Sequence, residues 1–421
     1  MSIRESRIGF VSTRLAGTDG VSLETVKWSN VLTSLGHTCF YFAGDSEWPE
    51  ERSMVVPEAH FAHPIIQKLN VDLFDDYIRS AETSRTMQQL TRHLKQQLYQ
   101  FIHRFDLGLL IVENALSIPM NIPLGLALTE LIAETDLPTI AHHHDFVWER
   151  GRYAITAADD YLRAAFPPTL HRVTHVVINS FARRQLALRT GVSATLIPNV
   201  VHFESAPPEP DGYADDLRST LGLSSNEYLL LQPTRIVPRK RIEHAIELAR
   251  RLDVPCTLVI SHASGDEGSE YEAHLKVYTK LMRVKTLFAF DLISHRREQT
   301  ENGQKVYSLA DVYGQADLVT YPSSMEGFGN AFLETIYYRR PIVMSTYEIF
   351  KTDIEPKGFK IIGFGDFINE ETVQHARAIL DNPGLAAEMT NHNYELGRRY
   401  YAYTTLEKRL VALISECLGD Y

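Results

Sequence analysis

Two glutamates eight residues apart, Glu326 and Glu334 in the stretch SMEGFGNAFLETI, flank Gly327, Gly329 and an apolar run. Glycines of this kind let backbone approach a ligand closely, and the N–H groups at the start of a following helix favour an anion. At about 1.5 Å of rise per residue the carboxylates stand roughly 12 Å apart, a span comparable to a diphosphate carrying a sugar at each end. One carboxylate can then accept hydrogen bonds from the hydroxyls of a transferred sugar and the other from those of a ribose, with the phosphates between. The plainer alternative is that Glu326 offsets the helix dipole and Glu334 is a surface residue.

A second candidate is PTRIVPRKR, where Arg235 and Lys240 flank a turn carrying Pro238, with Arg239 and Arg241 adding charge. That position, beyond a strand and before a helix, suits the clasping of a diphosphate, although an isolated run of this kind also reads as a solvated basic turn. A third is TIAHHHDFVWERGRY. Its three histidines invite a zinc reading, but neighbouring side chains on an extended segment point alternately and no further ligand motif accompanies them, so no metal is expected. Glu149, Arg150 and Arg152 either meet an acceptor bearing acid or phosphate or pair with each other, and Glu113 and Asn114, ending an earlier strand, are candidates for the same acceptor. A fourth is RLAGTDG, whose Gly17 and Gly20 precede a helix and either offer backbone to phosphates or only make the turn.

Elements that would position these loops alternate regularly. Short β-rich runs (RIGFVS, LGLLIV, TIAH, HVVINS) are followed by helix-period segments at 21–35, 122–134 and 181–190. A second series runs YLLLQP, helix 241–252, CTLVISH, helix 267–283, DLVTYP, helix 328–338 and PIVMS. Each series can close a doubly wound parallel sheet, where ligands bind beyond the carboxyl ends of the strands, and all four candidate loops sit there. The proline- and acid-rich HFESAPPEPDGYADD, 202–216, reads as an interdomain connection. The expected domains are 1–205 and 206–399, with a terminal helix at about 400–421 packing back on the first.

Composition sets the outer limits. A chain of 421 residues with 44% hydrophobic and 23% charged content is expected to be globular and to hold two large domains. A net charge of −11 argues against non-specific nucleic-acid binding, so a phosphate ligand must find local cations. Three scattered cysteines (Cys39, Cys256, Cys417) form neither a disulfide framework nor a metal motif and fit a reducing cytoplasm. The chain opens without a signal-peptide block, and its most apolar region is interrupted by Glu113, Asn114, Pro119, Asn121 and Pro123. Residues 84–104 are basic and helix-like and read as a solvated face in preference to a membrane-surface helix.

PTRIVPRKRIEHAIELA followed by ADLVTYPSSMEGFGNAFLETIYYRRPIV resembles the donor half of glycosyltransferase family 4, retaining enzymes of the GT-B fold. The resemblance implies an α/β chain of two Rossmann-like domains with the active site in the cleft between them, the first binding acceptor and the second the nucleotide sugar. It assigns Arg235 and Lys240 to the leaving diphosphate, Glu326 to the donor sugar and Glu334 to the ribose. Gly327, Phe328, Gly329 and Asn330 join them at the donor, as do Gly17 and Gly20. It places His144 near the reacting centre with Asp145 beside it as an acceptor-binding residue, His143 being the alternative to His144, and makes Asn199 a structural residue before the hinge. Thr234 and Arg241 stand where the family usually has glycine.

The expected function is retaining transfer of a hexose from a nucleotide diphosphate sugar to a hydroxyl of a small soluble acceptor, such as a sugar phosphate or a glycosylglycerate. No D-x-D motif lies at a strand end, so cations and helix termini would carry the leaving group's charge without a metal or other cofactor. Retention rests on the resemblance alone. Competing readings are an epimerase or phosphorylase on the same architecture, a non-catalytic nucleotide-sugar binder or regulator, and a transferase directed at lipid or polysaccharide. A homodimer is compatible with the sequence.

Overall fold

The structure, a computed structural model, describes residues 5–17, 19–264, 268–300 and 302–419. The chain divides into two compact units, one of residues 1–200 with 403–421 and one of residues 201–402.

The first unit is built on β1 (Arg7–Val11), β2 (Thr38–Ala43), β3 (Ser53–Val55), β4 (Leu109–Glu113), β5 (Thr139–His143), β6 (Val173–Val177) and β7 (Ala194–Leu196). These run parallel in the order β3-β2-β1-β4-β5-β6-β7. The strands are apolar on both faces because both are covered. Val11, Phe42, Leu110, Val112 and Ala141 face Leu94, Leu98 and Phe101 of helix Ala81–Phe105 and Leu124 and Leu128 of helix Ile122–Thr135. On the other side Ile8, Phe10, Leu109, Ile111 and Ile140 meet Trp28, Val31 and Leu32 of helix Gly20–Ser34 and Leu406, Leu410 and Ile414 of helix Tyr403–Leu418. Helix Ala81–Phe105 has the solvated charged face expected of it, with Arg85 and Arg92 exposed, and beneath that face Met87, Leu90, Leu94, Leu98, Phe101 and Phe105, at three-and-four spacing, are buried.

The second unit carries β8 (Tyr228–Gln232), β9 (Cys256–Ile260), β10 (Thr286–Phe288), β11 (Ile293–Ser294), β12 (Glu298–Gln299), β13 (Lys305–Ser308), β14 (Leu318–Tyr321), β15 (Ile342–Ser345) and β16 (Ile362–Phe364). Six form a parallel sheet, β10-β9-β8-β14-β15-β16, and three a small separate one, β11-β13-β12. That small sheet has strands of two to four residues, too short to show periodicity in a sequence. Residues 202–216 belong to this unit and are not a bare connection. Phe203 packs edge-on against Tyr337 and Tyr394, Asp216 pairs with Lys305 at 2.9 Å, and Asp211 pairs with Arg297. The helix expected from 267 is Glu270–Met282, and Glu267 lies outside the described residues.

Candidate active site

In the second unit β8 and β14 are neighbours, so the loops that leave their carboxyl ends emerge side by side. The Ser324 amide donates to the Arg239 carbonyl at 2.9 Å and locks the two loops together. Lys240 and Glu326, assigned separate partners from the sequence, face each other as an ion pair, and Arg239 stands 3.4 Å from the second carboxylate oxygen. The two partners' side chains are 9% and 10% exposed. Burial alone would raise the Glu326 pKa, but Lys240 and Arg239 outweigh it and hold the carboxyl below its usual range. Burial depresses the Lys240 ammonium, and Arg239 and Arg235 add to that. Its Nζ lies 5.3 Å from the centroid of the Tyr321 ring.

His262, two residues past β9, joins this cluster and was not singled out by sequence reasoning, although it ends the run CTLVISH. Its Nδ1 hydrogen-bonds the Ser261 hydroxyl at 2.8 Å, and burial, Arg235 and Lys240 push its pKa down to about 4. One carboxylate among several cationic or basic groups is an arrangement in which an anion can replace Glu326.

The helix here is only Asn330–Tyr337, so Glu326 lies on the preceding loop and the helical rise does not measure its separation from Glu334. Glu334 accepts from the Tyr313 hydroxyl at 3.3 Å. Gly329 has φ of +123°, and a Cβ there would meet the Tyr347 hydroxyl at 2.2 Å. The space it leaves is therefore filled by the protein's own tyrosine, whose hydroxyl donates to the Phe328 carbonyl at 2.8 Å. Phe328 is itself buried, edge-on to Tyr401, which makes it a core residue. Gly327 is exposed and Asn330 opens the helix.

In the first unit the register Glu113↔His142 between β4 and β5 brings the strand-end candidates together. Glu113, expected to reach an acceptor, is fully enclosed. Its Oε2 receives His142 Nδ1 at 2.9 Å and His144 Nε2 at 3.0 Å. The two imidazoles overcome the effect of burial and hold the Glu113 pKa at about 2. His142 also stacks on Trp28 at 4.2 Å. This trio is of metal-ligating type, with its donor atoms within 4.8 Å of one another. The separations of 2.9 and 3.0 Å are also hydrogen-bond distances, and His142 Nε2 is buried without a partner.

His143, the alternative to His144, is turned away from this group and bonds His175 Nδ1 through Nε2 at 2.8 Å, where burial keeps it uncharged. Asn114, in the left-handed region at φ +60°, splints the site. Its Oδ1 accepts the His144 amide at 3.0 Å and its Nδ2 donates to Asp145 at 2.9 Å. Asp145 in turn accepts from Arg150 Nε at 2.6 Å, so the expected acceptor residues pair among themselves. Glu149 accepts the Phe146 amide at 2.9 Å, and burial raises its pKa to about 7. Arg152 is exposed and donates to the Tyr153 hydroxyl at 2.6 Å. Gly17 has φ of +78° at the turn expected there, and Gly20 opens the helix. The anion at that helix start is already supplied by Asp19, whose Oδ1 accepts the Val21 and Ser22 amides at 3.0 and 3.2 Å.

Residues 214–396 match the family model described as Glycosyl transferases group 1. The chain is 32% identical over 393 residues to the mannosylglucosylglycerate synthase of Petrotoga mobilis, covering 85% of this chain and 86% of the relative. It is 30% identical over 435 residues to the mannosylglucosylglycerate synthase of Thermotoga maritima, covering 95% and 98%. Among solved structures, a glycosyltransferase from Rickettsia africae superposes with a TM-score of 0.69 at 12% identity, covering 100% of both chains. The two parallel-sheet α/β domains are accordingly those of the GT-B class. With two relatives at or above 30% identity over most of its length, the chain belongs to the group 1 glycosyl transferase family.

Proposed function

We propose that the protein is a retaining transferase of glycosyltransferase family 4 that moves a hexose from a nucleoside diphosphate to a hydroxyl of a glycosylglycerate, without a metal ion. The names of the two relatives point to mannose as the hexose and glucosylglycerate as the acceptor. The observation that carries the reading is the pairing of Lys240 and Arg239 with largely buried Glu326, with Arg235 and His262 close enough to interact with Lys240, inside the segment that matches the family model.

In this reading the donor's diphosphate displaces Glu326 from Lys240, and the freed carboxylate accepts from the sugar's hydroxyls. Glu334 serves the ribose and His144 stands at the reacting carbon. The acceptor hydroxyl enters on the face the diphosphate leaves: its oxygen bonds to the anomeric carbon, the bond to phosphate breaks, and the departing phosphate oxygen takes the proton. Fixed cations stabilise the negative charge as it develops. Arg150 and Arg152 suit the acceptor's carboxylate.

The experiment is transfer to glucosylglycerate from UDP-, GDP- and ADP-sugars, with product configuration read by NMR and a thermal-shift screen of the same donors. Turnover should survive chelation, and Lys240→Ala should lower it by about 100-fold or more. Loss of turnover on chelation with recovery on adding a divalent ion would overturn metal independence. No stabilisation by any donor at millimolar concentration would overturn the function itself.

A further inference from the structure

Resting on the reading above and deepening it, we propose that Glu113 is a positioning residue that holds His144 as an imidazolium, so that His144 serves its substrate as a cationic hydrogen-bond donor and not as a base.

The argument begins with charge. An ionised carboxylate with no exposed surface is expensive unless a cation compensates it. Two elements besides β5 and its end bring charge to His144, through Glu24 and Asp145, and each of these has its own cation. From helix Gly20–Ser34 come Glu24 and Lys27, which are paired with each other at 2.6 Å. From the loop after β5 come Asp145 and Arg150, likewise paired at 2.6 Å. Among the described residues no lysine or arginine bonds Glu113, which leaves the two imidazoles from β5 and its end.

Of these, His142 is the poorer cation. It is 1% exposed, and its Nε2 has no partner; a protonated ring would bury an unsatisfied, charged N–H there. Left neutral, it donates from Nδ1 and strands only a lone pair. His144 is 10% exposed and feels the negative charges of Glu113, Glu24 and Asp145. Burial would lower its pKa, but the hydrogen bond and charge of Glu113 outweigh burial and raise it, while His142 is lowered. The Asn114 side chain accepts the His144 amide at 3.0 Å and so fixes the backbone from which the ring reaches Glu113.

The consequence is chemical. Nε2–H is committed to Glu113, so Nδ1 is the nitrogen left for a ligand, and in the imidazolium it carries a proton. It can donate to a sugar hydroxyl oxygen or an anionic oxygen. It has no lone pair with which to remove the acceptor's proton, which therefore passes to the leaving phosphate.

The test is an NMR titration of the histidine ring signals of the full chain between about pH 5.5 and 9, with His144 assigned through His144→Gln. The expected midpoint for His144 lies above about 6.5, the ordinary histidine value. In Glu113→Gln it should fall by at least about one unit, and the alkaline limb of kcat/KM should shift to lower pH with it, while Glu113→Asp restores both in part. A wild-type midpoint below 6.5, or one unmoved in Glu113→Gln, would overturn the proposal, as would a stoichiometric transition metal in the purified protein. Should Glu113→Gln not fold, the wild-type midpoint and Glu113→Asp decide. A raised midpoint in a protein that transfers no sugar would uphold the ion pair and overturn the functional reading, so the two failures are distinguishable.

Discussion

Glu326 keeps its charge in a place where an isolated carboxylate would shed it, because Lys240 and Arg239 sit on its two oxygens. Removing one partner of such a pair costs more than removing both, since the survivor is left as a buried, uncompensated charge. Glu326→Gln should therefore destabilise the second unit by about 3 kcal/mol. The double variant Glu326→Gln with Lys240→Met should recover a large part of that loss. Chemical denaturation of the wild type, both single variants and the double variant closes the cycle. Additive effects would mean that the pair is a surface contact worth little. The same cycle bears on function: a pair that costs so much to break singly is retained at a strand end where a diphosphate could take the carboxylate's place.

At the scale of elements, Gly329 decides how the loop after β14 enters helix Asn330–Tyr337. Its φ of +123° is unfavourable for any residue with a side chain, and a Cβ would lie 2.2 Å from the Tyr347 hydroxyl. Gly329→Ala should cost about 1–3 kcal/mol. Adding Tyr347→Phe should relieve the clash but not the backbone strain, so the rescue will be partial; thermal melts of the three variants measure it, and an Ala variant as stable as the wild type would refute the packing.

This contact also marks what the sequence could not disclose. The strands YLLLQ, CTLVI, LVTY and IVMS stand within a residue or two of where alternation and apolarity put them, because a doubly covered parallel strand writes its burial directly into its composition. Arg235, Lys240, Glu326 and His144 were legible as strand-end polar residues. Their pairings were not: that Lys240 meets Glu326, that Asp19 caps the first helix, or that Glu113 is sealed under two histidines depends on strand register and on contacts between distant segments. A carboxylate ending a strand looks the same in sequence whether it faces solvent or core.

For the whole molecule the consequential fact is connectivity. The first unit is interrupted, its chain leaving at Val200 and returning at Tyr403, whereas the second, 201–402, is continuous. Helix Tyr403–Leu418 completes the first unit by burying Leu406, Leu410, Leu413 and Ile414 against Ile8, Phe10, Trp28 and their neighbours, and the four are at most 3% exposed. At about 1.5–3 kcal/mol for each buried aliphatic side chain, the helix supplies on the order of 6–12 kcal/mol, which rivals the total stability of an ordinary domain. A chain ending at Ala402 should therefore lose hydrogen-exchange protection in β1, β4 and β5 while β8, β9 and β14 stay protected, since every strand of the second sheet and the helices that cover it are retained. If the first unit stays protected without the helix, then its seven strands close a sufficient core unaided and the returning segment contributes only a surface covering. If both units lose protection together, the second depends on the first for its own stability, and the continuity of its chain does not make it independent.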